Sequence, residues 1–157
     1  MIQLKEGLKA PWFEDIDQNG EKVKLSDFSG KKIVLYFYPK DNTPGCTAEA
    51  CNLRDNFDTL IKKGFVVIGV SPDNEKSHKN FTGKYSLPFK LIADTSKKIL
   101  NEYGVWREKK MYGKSYFGVI RTTFVIDEKG TIEKIITKVD TSSHSEQIFN
   151  IYNQLNQ

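Results

Sequence analysis

No stretch of this chain is apolar for long enough to cross a bilayer, and its start, Met1-Ile2-Gln3-Leu4-Lys5-Glu6, carries charge where a secretory leader would be hydrophobic. The expectation is a cytoplasmic protein with no membrane partner. Cysteine and histidine are scarce, with two of each. A zinc site needs about four ligands, and Cys46, Cys51, His78 and His144 have no metal-ligand spacing, so no metal is expected. Neither a glycine-rich phosphate loop nor a serine-histidine-acid triad is apparent, and no cofactor is implied. Charge of one sign is not in large excess: 24 basic residues stand against 20 acidic ones, mostly interspersed, which suits an ordinary soluble surface better than a nucleic-acid partner. Repeats, low-complexity segments and linkers are absent, so residues 1–157 read as a single domain. A chain of this length can bury roughly 70% of its unfolded surface and needs no disulfide staple. In a reducing compartment a close cysteine pair is more often catalytic or metal-binding than structural.

What is present is organised around Pro39-Lys40-Asp41-Asn42-Thr43-Pro44-Gly45-Cys46-Thr47-Ala48-Glu49-Ala50-Cys51. Before it, Ile33-Val34-Leu35-Tyr36-Phe37-Tyr38 is β-branched and aromatic on both faces, which predicts a strand buried in mid-sheet. After it, Ala50, Leu53, Phe57, Leu60 and Ile61 recur at helical spacing until Gly64. Cys46 thus falls in the first turn of a helix, where unpaired N–H groups and the positive dipole end favour thiolate over thiol. Position alone leaves two readings: a nucleophile, or a small apolar residue like most free cysteines.

The remaining pattern completes an α/β chain. Asn19-Gly20 between residues 12–16 and 22–25 predicts an N-terminal hairpin, and Phe65-Val66-Val67-Ile68-Gly69-Val70 a second buried strand. The resulting β-α-β unit puts Cys46 at a strand's carboxyl end, where open sheets hold their chemistry. Ser71-Pro72-Asp73 opens a helix with Phe81 and Tyr85 on one face. Residues 87–92 are a short extended piece that Pro88 marks as an edge, and Asp94 can cap a helix closed by Gly104. Residues 105–119 mix bases with aromatics. The acid within them, and the lack of a nucleic-acid fold signature, favour a mobile loop that packs its aromatics on the domain. A hairpin of Ile120–Ile126 and Thr131–Thr137 and a last helix opened by a Ser143-to-Glu146 capping box, with Ile148, Tyr152 and Leu155 on one face, end the chain. The sheet is mixed, with helices against it.

That order of elements is the order of a thioredoxin-like fold, and the residues resemble one family within it, the peroxiredoxins. Pro-x-x-x-Thr-x-x-Cys is complete as Pro39, Thr43 and Cys46, and Arg121 in Ile-Arg-Thr-Thr-Phe-Val-Ile-Asp matches the family's active-site arginine. Tyr36 to Cys51, Gly69-Val70-Ser71-Pro72-Asp73 and Lys110-Met111-Tyr112-Gly113-Lys114 are similar to the bacterioferritin comigratory protein subfamily, also called PrxQ. The resemblance runs from about Leu4 to the end. It implies a thiol peroxidase in which the Cys46 thiolate attacks the terminal oxygen of a hydroperoxide and becomes a sulfenic acid. It further implies that Arg121 holds thiolate and peroxide, that Thr43 directs its hydroxyl and N–H at the substrate, that Pro39 shields the pocket, and that Glu49 orients Arg121. The implied partners are a hydroperoxide and thioredoxin or a similar dithiol, with the protein a monomer.

Other chemistries fit less well. A thioredoxin-type exchanger would carry Cys-x-x-Cys, whereas four residues separate these cysteines, and no proline follows Pro88 to face the redox pair. A redox sensor, oxidised once at Cys46 and Cys51, is the non-enzymatic alternative. Some members of the subfamily lack a resolving cysteine or carry it elsewhere, so the presence of Cys51 bears on the cycle of this chain in particular. Five residues along a helix mean a rise of about 7.5 Å and a rotation of roughly 140°, so the two Cα atoms stand some 8 to 9 Å apart. Disulfides need less than about 7 Å. Either the helix unwinds to form the bond, or Cys51 is inert and an outside thiol resolves the sulfenic acid.

Overall fold

A computed structural model of the chain describes residues 3–156. Met1, Ile2 and Gln157, which belong to the charged start and to the expected 1–157 domain, lie outside the described residues. Asn19 and Gly20 turn the chain between β1 (Glu14–Ile16) and β2 (Lys22–Lys24), the expected antiparallel hairpin. The Asp17 carboxylate accepts the N–H groups of Asn19 and Glu21 and so tightens that turn.

The apolar run becomes β3 (Lys32–Phe37), followed by α1 (Pro44–Asp55), α2 (Phe57–Lys62) and β4 (Phe65–Ser71), which lies parallel to β3. A second crossover through α3 (Glu75–Tyr85) adds β5 (Lys90–Ala93) at the edge, as Pro88 suggested. After α4 (Lys98–Glu102) come β6 (Trp106–Met111) and β7 (Lys114–Val119), and then β8 (Thr122–Ile126), β9 (Ile132–Ile136) and α5 (His144–Leu155). The five-stranded sheet has the order β5-β4-β3-β8-β9, parallel on one side of β3 and antiparallel on the other. This is the thioredoxin-like arrangement. Among the described residues no helix is long and apolar enough to cross a membrane.

β3 is apolar on both sides because both sides are covered. Ile33, Leu35 and Phe37 pack with Phe13, Val23, Ile99, Leu100 and Tyr103, from the N-terminal hairpin and the α4 region. Val34, Tyr36 and Tyr38 pack with Cys46, Ala50, Leu53, Leu60, Phe81 and Ile148, from α1, α2, α3 and α5. Cys46 therefore belongs to the four-helix side, just beyond the carboxyl end of β3.

Several local expectations are corrected. The helix expected to continue past Ile61 breaks at Asn56, whose side-chain amide donates to the Asn52 carbonyl and competes with the helical ladder. Residues 105–119 are the β6-β7 hairpin and not a loop. Tyr112 and Gly113 both take positive φ, 53° and 77°, the pair a two-residue type I′ turn requires. Of its aromatics only Trp106 packs against the core, for Tyr112, Tyr116 and Phe117 are exposed, Tyr112 to 97%. The Ser143 box does not form, since the Ser143 hydroxyl donates to Asp140. Instead Asn52 of α1 accepts the Ser145 N–H and caps α5 from outside. Finally, α3 is capped by Asn74, which leaves Asp73 free for the loop before Cys46. Leu155 is exposed although Ile148 on the same helix is buried.

Candidate active site

Tyr38 is buried and stacks on Tyr36 with ring centroids 5.4 Å apart, and the chain leaves the sheet at half-buried Pro39. The loop that follows is braced through Asp41. Its carboxylate accepts the hydroxyls of Tyr38 at 2.7 Å and Ser77 at 2.8 Å and lies 2.7 Å from Nδ1 of His78, while its N–H donates to Asp73 at 2.8 Å. Asp41, Asp73 and His78 thus gather ligand-type atoms within 4.8 Å of one another. Protein donors, with the Ser71 hydroxyl on Asp73, occupy oxygens on both acids, and the group acts as a brace. Asn42 takes a φ of 64°, which asparagine tolerates better than most residues.

Thr43 is the N-cap residue of α1, with Pro44 at the first helical position and Cys46 at the third. The Cys46 amide is accordingly one of the four at a helix start that have no helical acceptor. The Thr43 hydroxyl makes no capping bond and donates instead to the Lys40 carbonyl at 2.8 Å. No acid occupies the first turn, so no carboxylate there cancels its positive end.

Arg121, one residue before β8, reaches this helix from the antiparallel half of the sheet. Its Nη2 donates to Cys46 Sγ at 3.3 Å and its Nη1 donates to Glu49 Oε1 at 2.6 Å. Glycine at position 45 permits the approach, because a Cβ there would stand 3.2 Å from Nη2. Cys46 is 1% exposed and Glu49 fully buried. Burial raises the Glu49 carboxyl to about 7 despite the opposing pull of Arg121. Burial also works against the Arg121 charge, but Glu49 and Cys46 outweigh it and hold the guanidinium above its ordinary range. The structure thus brings Cys46, Glu49 and Arg121 into one cluster, with Thr43 and Pro39 on the loop leading to it. Cys51 is half-buried on the same unbroken helix, and both cysteines are free thiols.

Three neighbours were not singled out by spacing. His144 Nε2 lies 3.7 Å from Glu49 Oε2, across 95 residues of chain, and no local motif announces it. His78 braces Asp41, and only the nearness of Asp41 to the motif could have suggested a role there. Lys109 of β6 stands at the rim, where burial and then Arg121 hold its ammonium below the ordinary range. A cavity of about 570 Å³ lies elsewhere, with Gln18, Phe57, Phe65, Thr82 and Phe89 in its lining, and includes none of Cys46, Glu49 and Arg121.

Comparison with known proteins converges on one group. The profile of the AhpC/TSA family matches residues 7–135. Peroxiredoxin Bcp of Bacillus subtilis is 47% identical over 143 residues, 91% of each chain. A cysteine-to-serine mutant of Xylella fastidiosa PrxQ superposes with a TM-score of 0.93 at 28% identity over all of both chains. The bacterioferritin comigratory protein of Xanthomonas campestris, studied for its alkyl peroxide reduction activity, superposes with a TM-score of 0.89 at 30% identity, covering 98% of this chain and all of the other.

Proposed function

We propose a catalytic cycle from one established premise: the chain belongs to the AhpC/TSA family and is a peroxiredoxin, a thiol peroxidase that uses a peroxidatic cysteine. Cys46 is that cysteine in our reading. Its thiolate attacks the terminal oxygen of a hydroperoxide, a new S–O bond forms as the O–O bond breaks, and the departing alkoxide or hydroxide takes a proton to leave as alcohol or water. The single observation that carries this is the fork of Arg121, one nitrogen 3.3 Å from Cys46 Sγ and the other held by Glu49 at 2.6 Å. A guanidinium so anchored stabilises the thiolate and then the oxygens on which charge develops, without reorganising during the reaction. Thr43 presents its hydroxyl and N–H to the peroxide, and Pro39 limits water at the mouth.

Resolution falls to Cys51. Its thiolate attacks the sulfenic sulfur of Cys46, the S–O bond breaks, and hydroxide leaves as water once protonated. A dithiol of the thioredoxin type then reduces the bridge in the cytoplasm, and the protein serves antioxidant defence as a monomeric single domain. Hydrogen peroxide and organic hydroperoxides are the substrates, the second class supported by the alkyl peroxide reduction studied in the Xanthomonas relative. The test is NADPH consumption with thioredoxin and its reductase. Sustained turnover, lost in Cys46→Ser, is expected; oxidation that stops after one equivalent of peroxide would instead indicate a redox sensor.

A further inference from the structure

His78, in the first turn of α3, is fully buried, and each of its ring nitrogens faces an oxygen. Nε2 lies 2.9 Å from the Ile92 carbonyl of β5, and Nδ1 lies 2.7 Å from Asp41 Oδ2. A carbonyl only accepts, so Nε2 carries hydrogen. A second hydrogen must lie between Nδ1 and Oδ2, because a bare nitrogen and a bare carboxylate oxygen 2.7 Å apart would set lone pair against lone pair. The pair therefore holds two hydrogens. Through them His78 ties Asp41 to the backbone of the edge strand.

Asp41 carries that tie into the turn that opens α1. The Thr43 hydroxyl closes the turn on the Lys40 carbonyl at 2.8 Å, and the Thr43 carbonyl accepts the Thr47 N–H at 2.9 Å to begin the helix. Asn42, between Asp41 and Thr43, has a φ of 64°. A left-handed residue other than glycine persists where its surroundings hold it there, and the holding is done at Asp41. Tyr38 and Ser77 each reach the carboxylate with a hydroxyl on a rotatable bond, and Asp73 takes the N–H. The His78 ring differs from these, for it is rigid and pinned on both sides, to Asp41 and to Ile92.

We propose that His78 is a positioning residue for the peroxide reaction: the hydrogen it shares with Asp41 fixes the turn from Lys40 to Thr43, and with it Thr43 and the helix start at Cys46. His78 touches neither the thiol nor the peroxide and acts through Asp41. Released from the ring, the turn can relax about Asn42, and the first helical turn then no longer presents Thr43 and Cys46 to one substrate at fixed distance. The inference rests on Cys46 being the peroxidatic cysteine and deepens that reading.

Asparagine and glutamine divide the two contacts of the ring between them, since an asparagine amide nitrogen falls near the place of Nδ1 and a glutamine one near that of Nε2. His78→Asn keeps a donor for Asp41 and gives up Ile92; His78→Gln does the reverse. In stopped-flow peroxide oxidation, well below either melting temperature, His78→Gln should slow attack on Cys46 roughly tenfold, the scale of one lost buried hydrogen bond, and His78→Asn by less than about threefold. Equal losses, or the larger loss in His78→Asn, overturn the proposal. The amide resonances of residues 42–47 in the reduced proteins should move in His78→Gln and stay near wild type in His78→Asn. Should neither variant fold, NMR of the wild-type ring decides: hydrogen on Nε2 and a slowly exchanging, far-downfield hydrogen between Nδ1 and Asp41 are expected, and a bare Nε2 or the lack of that shared hydrogen overturns the proposal. These resonances are independent of turnover. A wild type slow towards peroxide, with the amide pattern intact, therefore removes the peroxidase cycle and not the fixing of the turn.

Discussion

Asn52 of α1 accepts the N–H of Ser145 at 2.8 Å and donates to the Ser142 carbonyl at 3.0 Å, so the helix that carries both cysteines caps the last helix of the chain. Cys51 is its immediate neighbour. A bond from Cys46 to Cys51 cannot form across intact α-helix, because about 8 to 9 Å separates Cα atoms that must come within about 7 Å. Unwinding α1 withdraws the Asn52 cap, which for a helix start is worth roughly 1 kcal/mol.

After one equivalent of peroxide, amide exchange should therefore quicken over residues 44–54 and also at residues 145–147, the latter by roughly fivefold. A bridged protein whose α5 amides keep their reduced-state protection would show that the two helices do not communicate. An oxidised protein with no internal bridge would make Cys51 inert.

Replacing Arg121 by lysine should lower the rate constant of peroxide attack by roughly a hundredfold, since an ammonium cannot face Cys46 Sγ and Glu49 Oε1 with two fixed nitrogens. Stopped-flow fluorescence measures it directly. A rate near wild type would remove the arginine from the chemistry.

Glu49 ties stability to pH. Its folded value, about 7, lies above the ordinary 4.5, so the folded state binds the extra proton between those values. That contribution is fully present below about 4.5 and is lost as the pH rises through about 7. Glu49→Gln has no such proton. Between pH 5 and 8 the wild type should lose stability relative to the variant, by roughly 3 kcal/mol at most. Thermal melts of the two proteins that run parallel across this range would contradict the assignment.

Gly45→Ala should separate stability from activity. Alanine favours the helix by up to about 1 kcal/mol, while its Cβ would stand 3.2 Å from Arg121 Nη2 and push the guanidinium aside by a few tenths of an ångström. A higher melting temperature with a several-fold slower peroxide reaction is expected. A faster or unchanged reaction would show that the fork tolerates displacement.

The sheet was legible because its signals are local. A run such as Ile33–Tyr38, apolar on both faces, has few alternatives to a central strand, and the Pro39, Thr43 and Cys46 spacing marks its exit. The arginine was found through a resemblance, since nothing around Arg121 says that it meets Cys46. No metal-ligand spacing marks His144, and its place beside Glu49 depends on where α5 docks, a docking in which Asn52, 93 residues from Ser145, takes part. The β6-β7 hairpin was hidden for a different reason. Its turn places Tyr112 in a left-handed conformation that glycine or asparagine usually fills, and its exposed aromatics imitate a segment with a surface to cover.

The pairing of β3 with β8 has a consequence for the time before the protein is whole. Cys46 comes with the parallel half of the sheet and Arg121 with the antiparallel half, 75 residues later. A growing chain on the ribosome makes its thiol long before the guanidinium that, in the proposed cycle, arms it. Until β8 seats against β3, the cysteine keeps only what its own helix start confers. In the proposed cycle, fast reaction with peroxide is thus acquired late, as the last strands close.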